Sequence, residues 1–282
     1  MAATHRRPSH HPGASRAPHR IHGPGSRNRP HRRRQPRRGT CHLTNRQRIQ
    51  ADPLHTLSLG TDVWGRTVMP AEAREGAIDL RDHWWWRSGW ERGTRYYTWH
   101  LTFEHEPALQ RLVLDYQEVL SGFSFLDPVP IEWLHLTLVG VGNATTVNDL
   151  HVRTVIDQVR GEIAGGPPIS LTFQEPVVLR EAVSLIVEPT ESLSRLRATL
   201  RHAVTGSLGA AAPPEDARFP FVPHVTMAYV NADADGRGVI RALEHKPERV
   251  AARVSPVLAL IELHRDNRQY EWRTLEEIPL AD

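Results

Sequence analysis

Only one cysteine, Cys41, occurs among the 282 residues, so neither an intrachain disulfide nor a thiolate metal cluster can form. No apolar run approaches the roughly 18 residues of a membrane span, and the first residues lack the apolar core of a secretory signal. The sequence also has no His-Glu-x-x-His motif and no cluster of aspartates, which disfavours a metal hydrolase. We therefore expect a cytoplasmic protein that needs no metal ion or other cofactor and contacts no membrane.

Acidic residues are absent from the first 51 positions, which hold 13 arginines. The remaining chain has 22 basic and 32 acidic residues, a net charge of −10. A duplex-binding surface needs clustered positive charge, so it is disfavoured in this acidic part. A small nucleotide or an RNA end in a local positive pocket is compatible with it.

Residues 1–50 are rich in Arg, His and Pro and poor in large apolar side chains, which predicts disorder. This basic arm either touches nucleic acid or an anionic surface, or is a dispensable tail, with Met69 as an alternative start. We favour the tail. Residues 51–76 have little pattern and are interpreted as a linker. The predicted organisation is a disordered arm and linker over 1–76 and one folded domain over 77–282.

Apolar periodicity in the folded part predicts mixed α and β structure arranged in two lobes about a cleft. The predicted strands cover 96–103, 133–138, 169–173, 183–188, 223–229 and 257–263, with a last one starting near 270. Predicted helices cover 107–122, 148–163 and 236–245, and a further one is capped by Thr190. Four tryptophans lie between positions 84 and 90. They either stack nucleic-acid bases or pack over a core edge, and we favour packing.

A strand that carries His-x-Thr is predicted over Trp133-Leu134-His135-Leu136-Thr137-Leu138. Side chains alternate along a strand, so His135 and Thr137 share one face and the leucines point into a core. A second His-x-Thr lies 89 positions later, where His224 and Thr226 share a face. The opposite face of this second strand is predicted to hold Val225, Met227 and Tyr229.

Two imidazoles and two hydroxyls that face each other would supply an acid, a base and two hydrogen-bond donors, which suits the chemistry of a phosphate ester. His-x-Thr alone is weak evidence, since it occurs four times in this histidine-rich chain. The copy at His42 falls in the basic arm. His135 and His224 stand out because each begins a strand after a proline-containing turn.

Together, residues 133–138 and 223–229 resemble the paired motifs of the 2H phosphoesterase superfamily, and most of all the bacterial 2′-5′ RNA ligase and cyclic phosphodiesterase proteins. Residues 97–103 and 270–272 support the resemblance, which covers about 80–282. It implies an α+β fold of two lobes around a central cleft. Each lobe would be an antiparallel sheet with outer helices, and a pseudo-two-fold axis would relate them.

The resemblance implies a metal-independent phosphodiesterase acting on a 2′,3′-cyclic phosphate or on 2′-5′-linked nucleotide or RNA ends, with ligation as the reverse reaction in some members. His135 and His224 are then the catalytic acid–base pair, in an order left open, and Thr137 and Thr226 bind the phosphate. We expect a monomer whose partner is a nucleotide or RNA-end substrate rather than another protein. The alternative is a non-catalytic nucleotide- or RNA-binding module of the same fold.

Three further residues are candidate substrate contacts. His100 shares the polar face of its strand with two threonines, although a structural hydrogen bond explains it equally well. Arg265 follows the last core strand and would offer phosphate a positive partner, but we favour an exposed surface arginine. Tyr270, together with Trp272, either stacks a base or closes the core.

Overall fold

The computed structural model describes residues 60–61, 67–68, 79–87, 89–164, 166, 168–215, 221–244 and 254–280. All of them belong to one compact unit, Arg48–Asp282. The disorder predicted for residues 1–50 lies outside the described residues, as does most of the predicted linker. Within that linker, Gly60–Thr61 pairs antiparallel with Thr67–Val68, a contact that the sequence pattern did not predict.

The described strands are β1 Gly60–Thr61, β2 Thr67–Val68, β3 Asp79–Leu80, β4 Tyr96–Thr102, β5 Leu126–Pro128, β6 His135–Asn143, β7 Thr172–Val178, β8 Ala182–Glu188, β9 His224–Val230, β10 Ala234–Asp235, β11 Val257–His264 and β12 Glu271–Pro279. The described helices are α1 Pro107–Leu120, α2 Asp149–Ile163, α3 Thr190–Leu208 and α4 Arg237–Glu244. Short 3₁₀ turns cover Ile131–Trp133 and Gly209–Ala211.

Two four-stranded antiparallel sheets form the core of the fold. The first has the order β12-β11-β4-β6, and the second has the order β5-β9-β8-β7. The first His-x-Thr strand is β6, at the edge of the first sheet, and the second is β9, inside the second sheet. The predicted α+β fold with two antiparallel sheets is confirmed. The first sheet combines strands from the beginning and the end of the domain, so the lobes interleave along the chain.

The helices cover the sheets with apolar faces. Helix α1 begins at Pro107, which needs no backbone hydrogen bond there, and it buries Leu109, Leu112 and Tyr116. Helices α1 and α4 contact each other and the second sheet. Helix α2 packs on α3, and α3 contacts both sheets, through β6 and β8. Burial of an apolar face is the main source of helix stability in a protein.

Three details of the predicted elements were wrong. Thr190 is the first residue of α3 rather than its cap, and its backbone N–H donates to the Glu188 carboxylate at 2.7 Å. The strand predicted over 169–173 is observed over Thr172–Val178 and contains Pro176. The proline-containing turn predicted before His135 overlaps the short strand β5, Leu126–Pro128. Both β5 and β7 are edge strands, where a proline leaves no ladder hydrogen bond unmade.

The two motif strands carry the same irregularity at the same place. In the first sheet Trp99 lies opposite Val139 and His100 opposite Thr137, so Leu138 is an extra residue. In the second sheet Val183 lies opposite Ala228 and Ser184 opposite Thr226, so Met227 is the extra residue. A β-bulge thus follows the threonine in each copy of the motif. This match supports the pseudo-two-fold relation of the lobes.

The bulge in β9 changes which side chains face the motif histidine. Leu134, Leu136 and Leu138 are at most 1 % exposed, which confirms their predicted core positions. Tyr229, however, lines the same cavity as His224, so its predicted position on the opposite face is wrong. An extra residue interrupts the two-residue alternation of a strand, and the side chains that follow it are redirected.

Candidate active site

Residues of the two motif strands line one small cavity of about 60 Å³. His135 and Thr137 reach it from β6, and His224 and Thr226 reach it from β9. The rest of its wall consists of His83, Arg87, Leu179, Glu181, Ala182, Tyr229 and Tyr270. All four motif residues predicted from the sequence therefore line one cavity.

Both motif histidines are held in the same way by the backbone. The Nδ1 atom of His135 lies 2.8 Å from the carbonyl of Trp133, and the Nδ1 atom of His224 lies 2.8 Å from the carbonyl of Val222. A carbonyl oxygen only accepts, so each Nδ1 carries a hydrogen and donates it. In the neutral ring Nε2 is then the atom that can accept a proton.

Burial of the His135 imidazole lowers its pKa to about 4, although the hydrogen bond to Trp133 opposes the shift. Transfer of a charged imidazolium out of water is unfavourable, and this desolvation is the larger effect. At neutral pH the ligand-free protein therefore keeps His135 uncharged. Its Nε2 is ready to take up a proton.

Each motif threonine has a side-chain partner on the neighbouring strand. The Oγ1 atom of Thr137 lies 3.1 Å from Nε2 of His100, and Oγ1 of Thr226 lies 3.1 Å from Oγ of Ser184. Both partners are 0 % exposed. If each partner donates to the threonine oxygen, the threonine hydrogen is left to point at a ligand.

His100 is fully buried and is not one of the described residues that line the cavity. Its ring stacks on that of His135, with centroids 4.5 Å apart and planes 5° from parallel. The sequence left open a substrate contact or a structural hydrogen bond for His100. The structure shows the hydrogen bond, to Thr137 on the neighbouring strand. His100 lies within reach of both motif side chains of β6.

The tryptophan-rich segment, residues 82–90, provides another wall of the cavity. His83 Nδ1 lies 3.1 Å from a carboxylate oxygen of Glu181, and His83 Nε2 lies 3.0 Å from the Tyr270 hydroxyl. Arg87 forms an ion pair with the same Glu181 oxygen. Burial alone would raise the pKa of Glu181, but the hydrogen bond from His83 and the charge of Arg87 lower it overall. Glu181 is therefore ionised and accepts from both.

The ionised carboxylate also determines the direction of the other hydrogen bond of His83. Because Nδ1 donates to Glu181, Nε2 of the neutral ring accepts from the Tyr270 hydroxyl. Burial lowers the pKa of His83 to about 4 against the attraction of Glu181. The ring also stacks on Tyr229, with centroids 4.3 Å apart.

Arg265 is only 3 % exposed, so the expectation of an exposed surface arginine was wrong. It donates to the backbone carbonyls of His83, at 2.9 Å, and of Trp85, at 3.3 Å. Its guanidinium lies over the rings of Trp84 and Tyr270, among others. The tryptophan-rich segment covers Arg265. Arg265 is not among the described residues that line this cavity or the larger cavity next to it.

A second, outer cavity of about 620 Å³ adjoins the first. His135, Tyr229 and Tyr270 line both cavities, whereas His224 lines only the inner one. The rest of the outer wall includes Trp84, Asp127, Asn231, Asn267, Arg268 and Gln269. Trp84 and Trp90 are buried, as the packing interpretation predicts, while Trp85 and Trp86 remain 51 % and 49 % exposed.

Four polar residues of the inner wall were not singled out from the sequence as site residues: His83, Arg87, Glu181 and Tyr229. Arg87 and Glu181 are 94 positions apart, and no local pattern links them. Within the described ranges, no group of three or more His, Cys, Asp or Glu side chains could hold a metal ion. In the same part of the chain no helix has both the length and the apolar character of a membrane span.

The sequence matches the family model of the 2′-5′ RNA ligase superfamily over residues 105–267. The chain belongs to this superfamily. It is thus a member of the 2H phosphoesterases, as its two motifs indicate. The match includes both motif strands and Glu181, whereas His83, Arg87, His100 and Tyr270 lie outside it. None of the curated proteins matches the chain by sequence.

Solved structures show the same fold. The Thermus thermophilus protein TT0787 has a TM-score of 0.51 at 19 % identity, covering 66 % of this chain and 97 % of its own. Escherichia coli LigT, in a complex with 3′-AMP, has a TM-score of 0.50 at 20 % identity, covering 67 % and 99 %. Each comparison thus covers about two thirds of this chain and nearly all of the solved structure.

Proposed function

We propose that this protein is a metal-independent phosphodiesterase that acts on a 2′,3′-cyclic phosphate or a 2′-5′-linked nucleotide or RNA end. The observation that supports it best is the inner cavity, where two backbone-held imidazoles and two oriented hydroxyls converge. These groups provide proton transfer and anion stabilisation from side chains alone. Membership of the superfamily agrees with this reaction class.

The two cavities suggest how the substrate is placed. The inner cavity of about 60 Å³ suits a phosphate group, and the outer one of about 620 Å³ suits the attached nucleoside. His135, which lines both, then lies beside the ribose oxygen, and His224 lies beside the oxygen on the far side of phosphorus. Thr137 and Thr226 donate to the non-bridging oxygens, where negative charge accumulates in the transition state.

Proton transfer follows from this placement. When a ribose hydroxyl attacks a 2′-5′ linkage, His135 takes its proton and His224 protonates the departing 5′-oxygen. When water opens the cyclic phosphate, His224 takes a proton from the attacking water, and protonated His135 donates a proton to the ribose oxygen that leaves phosphorus. The negative charge of bound phosphate favours the protonated form of His135 in this second step. Reversal of the first step is ligation.

The test is hydrolysis of nucleoside 2′,3′-cyclic phosphates, 2′-5′-linked dinucleotides and RNA with a cyclic phosphate end by wild-type protein and by His135→Ala and His224→Ala. General acid–base catalysis contributes about 10²- to 10⁴-fold, so each variant should lose at least 10²-fold in kcat. The matched control is His105→Ala, since His105 is exposed. Wild-type turnover by either motif variant, or loss of turnover with a chelator, would contradict the proposal. Nucleotide binding without turnover of any substrate would favour the non-catalytic module.

A further inference from the structure

The inner cavity has one positively charged wall residue, Arg87, among the described residues that line it. The phosphodiester brings a negative charge, and the motif threonines offer it only neutral donors. Preorganised charge aimed at a phosphoryl group is usually a large contribution to its recognition in a water-excluded site. Arg87 lines the same cavity as both His-x-Thr pairs, so its positive charge lies where the phosphate would bind.

Arg87 is held rigidly at this wall. It is 6 % exposed, its Nη2 atom forms the ion pair with Glu181, and its guanidinium lies 5.3 Å from the centre of the Trp85 ring. The Trp85 indole N–H donates to the other Glu181 oxygen at 3.2 Å. Glu181 thus fixes both the cation and the ring beneath it, and little side-chain entropy remains to be lost when an anion binds.

Glu181 does not cancel the positive character of this wall. Arg265 lies behind the tryptophan-rich segment, bonded to the His83 and Trp85 carbonyls. Two guanidiniums therefore accompany one carboxylate, while His83 remains neutral in the ligand-free protein at neutral pH. A planar guanidinium can bind two phosphate oxygens with parallel hydrogen bonds, which a lysine ammonium cannot match.

We propose that Arg87 is a phosphate-binding residue of the inner cavity and that Glu181 is its positioning residue. Arg87 contacts the non-bridging oxygens together with Thr137 and Thr226. This inference rests on the proposed function for the identity of the substrate, but the binding of phosphate itself can be measured separately. The residue comes from the tryptophan-rich segment, which precedes the part of the chain that matches the family model.

The first experiment measures binding of inorganic phosphate and of adenosine 2′-monophosphate to the full-length protein by calorimetry. Arg87→Gln should weaken both by at least tenfold, and Arg87→Lys should be intermediate because it keeps the charge without the planar fork. The matched control is Arg92→Gln, since Arg92 is exposed close to the same segment, and it should bind both probes like wild type. Equal binding by Arg87→Gln and wild type would overturn the inference, as would a wild-type protein that binds neither probe.

A double variant separates phosphate binding from simple neutralisation of Glu181. Arg87→Gln alone leaves a buried carboxylate without its cation, which can disturb the site for structural reasons. Arg87→Gln combined with Glu181→Gln removes both charges and leaves two amides that can bond each other. If Arg87 binds phosphate, the double variant stays at least tenfold weaker than wild type. Recovery of wild-type affinity would show a purely structural role and overturn the inference.

Steady-state kinetics on a cyclic-phosphate substrate then separates this inference from the proposed function. If Arg87→Gln binds phosphate weakly but the wild-type protein hydrolyses none of the candidate substrates, the proposed function fails and the phosphate site stands. If wild type is active and Arg87→Gln retains its phosphate affinity and its kcat/KM, the role of Arg87 fails and the proposed function stands.

Discussion

A fall in pH from 7 to 5 should destabilise the ligand-free protein through two imidazoles. Burial lowers the pKa of His83 to about 4 despite its bond to Glu181, and burial lowers that of His135 to about 4 as well. In the unfolded chain each titrates near 6.5. Between these values the unfolded chain binds more protons than the folded one. The stability that depends on neutral imidazoles is therefore complete above pH 6.5 and is lost as the pH falls toward 4.

The magnitude follows from the two pKa values of each group. A histidine whose pKa is about 4 when folded and about 6.5 when unfolded loses about 2 kcal/mol of stability between pH 7 and pH 5. His83 and His135 together should cost about 4 kcal/mol, a large part of the roughly 5–15 kcal/mol that stabilises a typical domain. Near pH 5 the free energy of unfolding should change by about 2.4 kcal/mol per pH unit.

Urea unfolding at a series of pH values between 7 and 4.5 measures this slope directly. His135→Asn keeps a donor for the Trp133 carbonyl but removes one titrating group, so the slope near pH 5 should fall by about half. Carboxylates with lowered pKa values contribute mainly at lower pH; hydrogen bonds from Arg237, for example, lower the pKa of Asp235 to about 2. The difference between variant and wild type cancels them, and exposed His105→Gln serves as the control. An unchanged slope in His135→Asn would refute the reasoning.

Two further predictions concern β8, which pairs with the second motif strand, and β6, which is the first. Ser184→Ala removes the hydroxyl that lies 3.1 Å from Thr226 Oγ1. This variant should lower kcat on a cyclic phosphate by about tenfold and the free energy of unfolding by about 1 kcal/mol. An unchanged kcat would show that Ser184 does not orient the threonine. Gly142→Ala should cost about 1–3 kcal/mol in urea unfolding, because φ is 143° and the new Cβ would lie 2.6 Å from Val147 Cγ2. Gly122→Ala, which meets nothing within 4 Å, is its control and should unfold like wild type.

Periodicity was sufficient to predict most of the elements that position the site. The apolar faces of α1 and α2 have helical spacing, and the leucines at 134, 136 and 138 alternate as a strand requires. Both motif strands begin at the histidine, as the preceding prolines indicate. These signals are local, so they predict the elements without knowledge of which strands pair.

What the sequence could not predict depends on contacts between distant parts of the chain. Arg265 follows a strand, where arginines are usually exposed, and its burial is caused by a segment about 180 residues earlier. The ion pair of Arg87 with Glu181 joins that segment to the start of β8. Hydrogen bonding across such distances leaves no periodic trace in the sequence.

The two motif histidines have different surroundings, although the same bulge follows the threonine in both motif strands. A bulge at the same step of β6 and β9 gives both lobes the same histidine and threonine geometry. Three positions after the threonine the lobes differ, since β6 has Gly140 where β9 has Tyr229. Tyr229 lines both cavities, as His135 does, whereas His224 lines only the inner one. Equivalent imidazoles thus meet different surroundings, so a substrate bound in both cavities would present its ribose oxygen to His135 and its other reacting oxygen to His224.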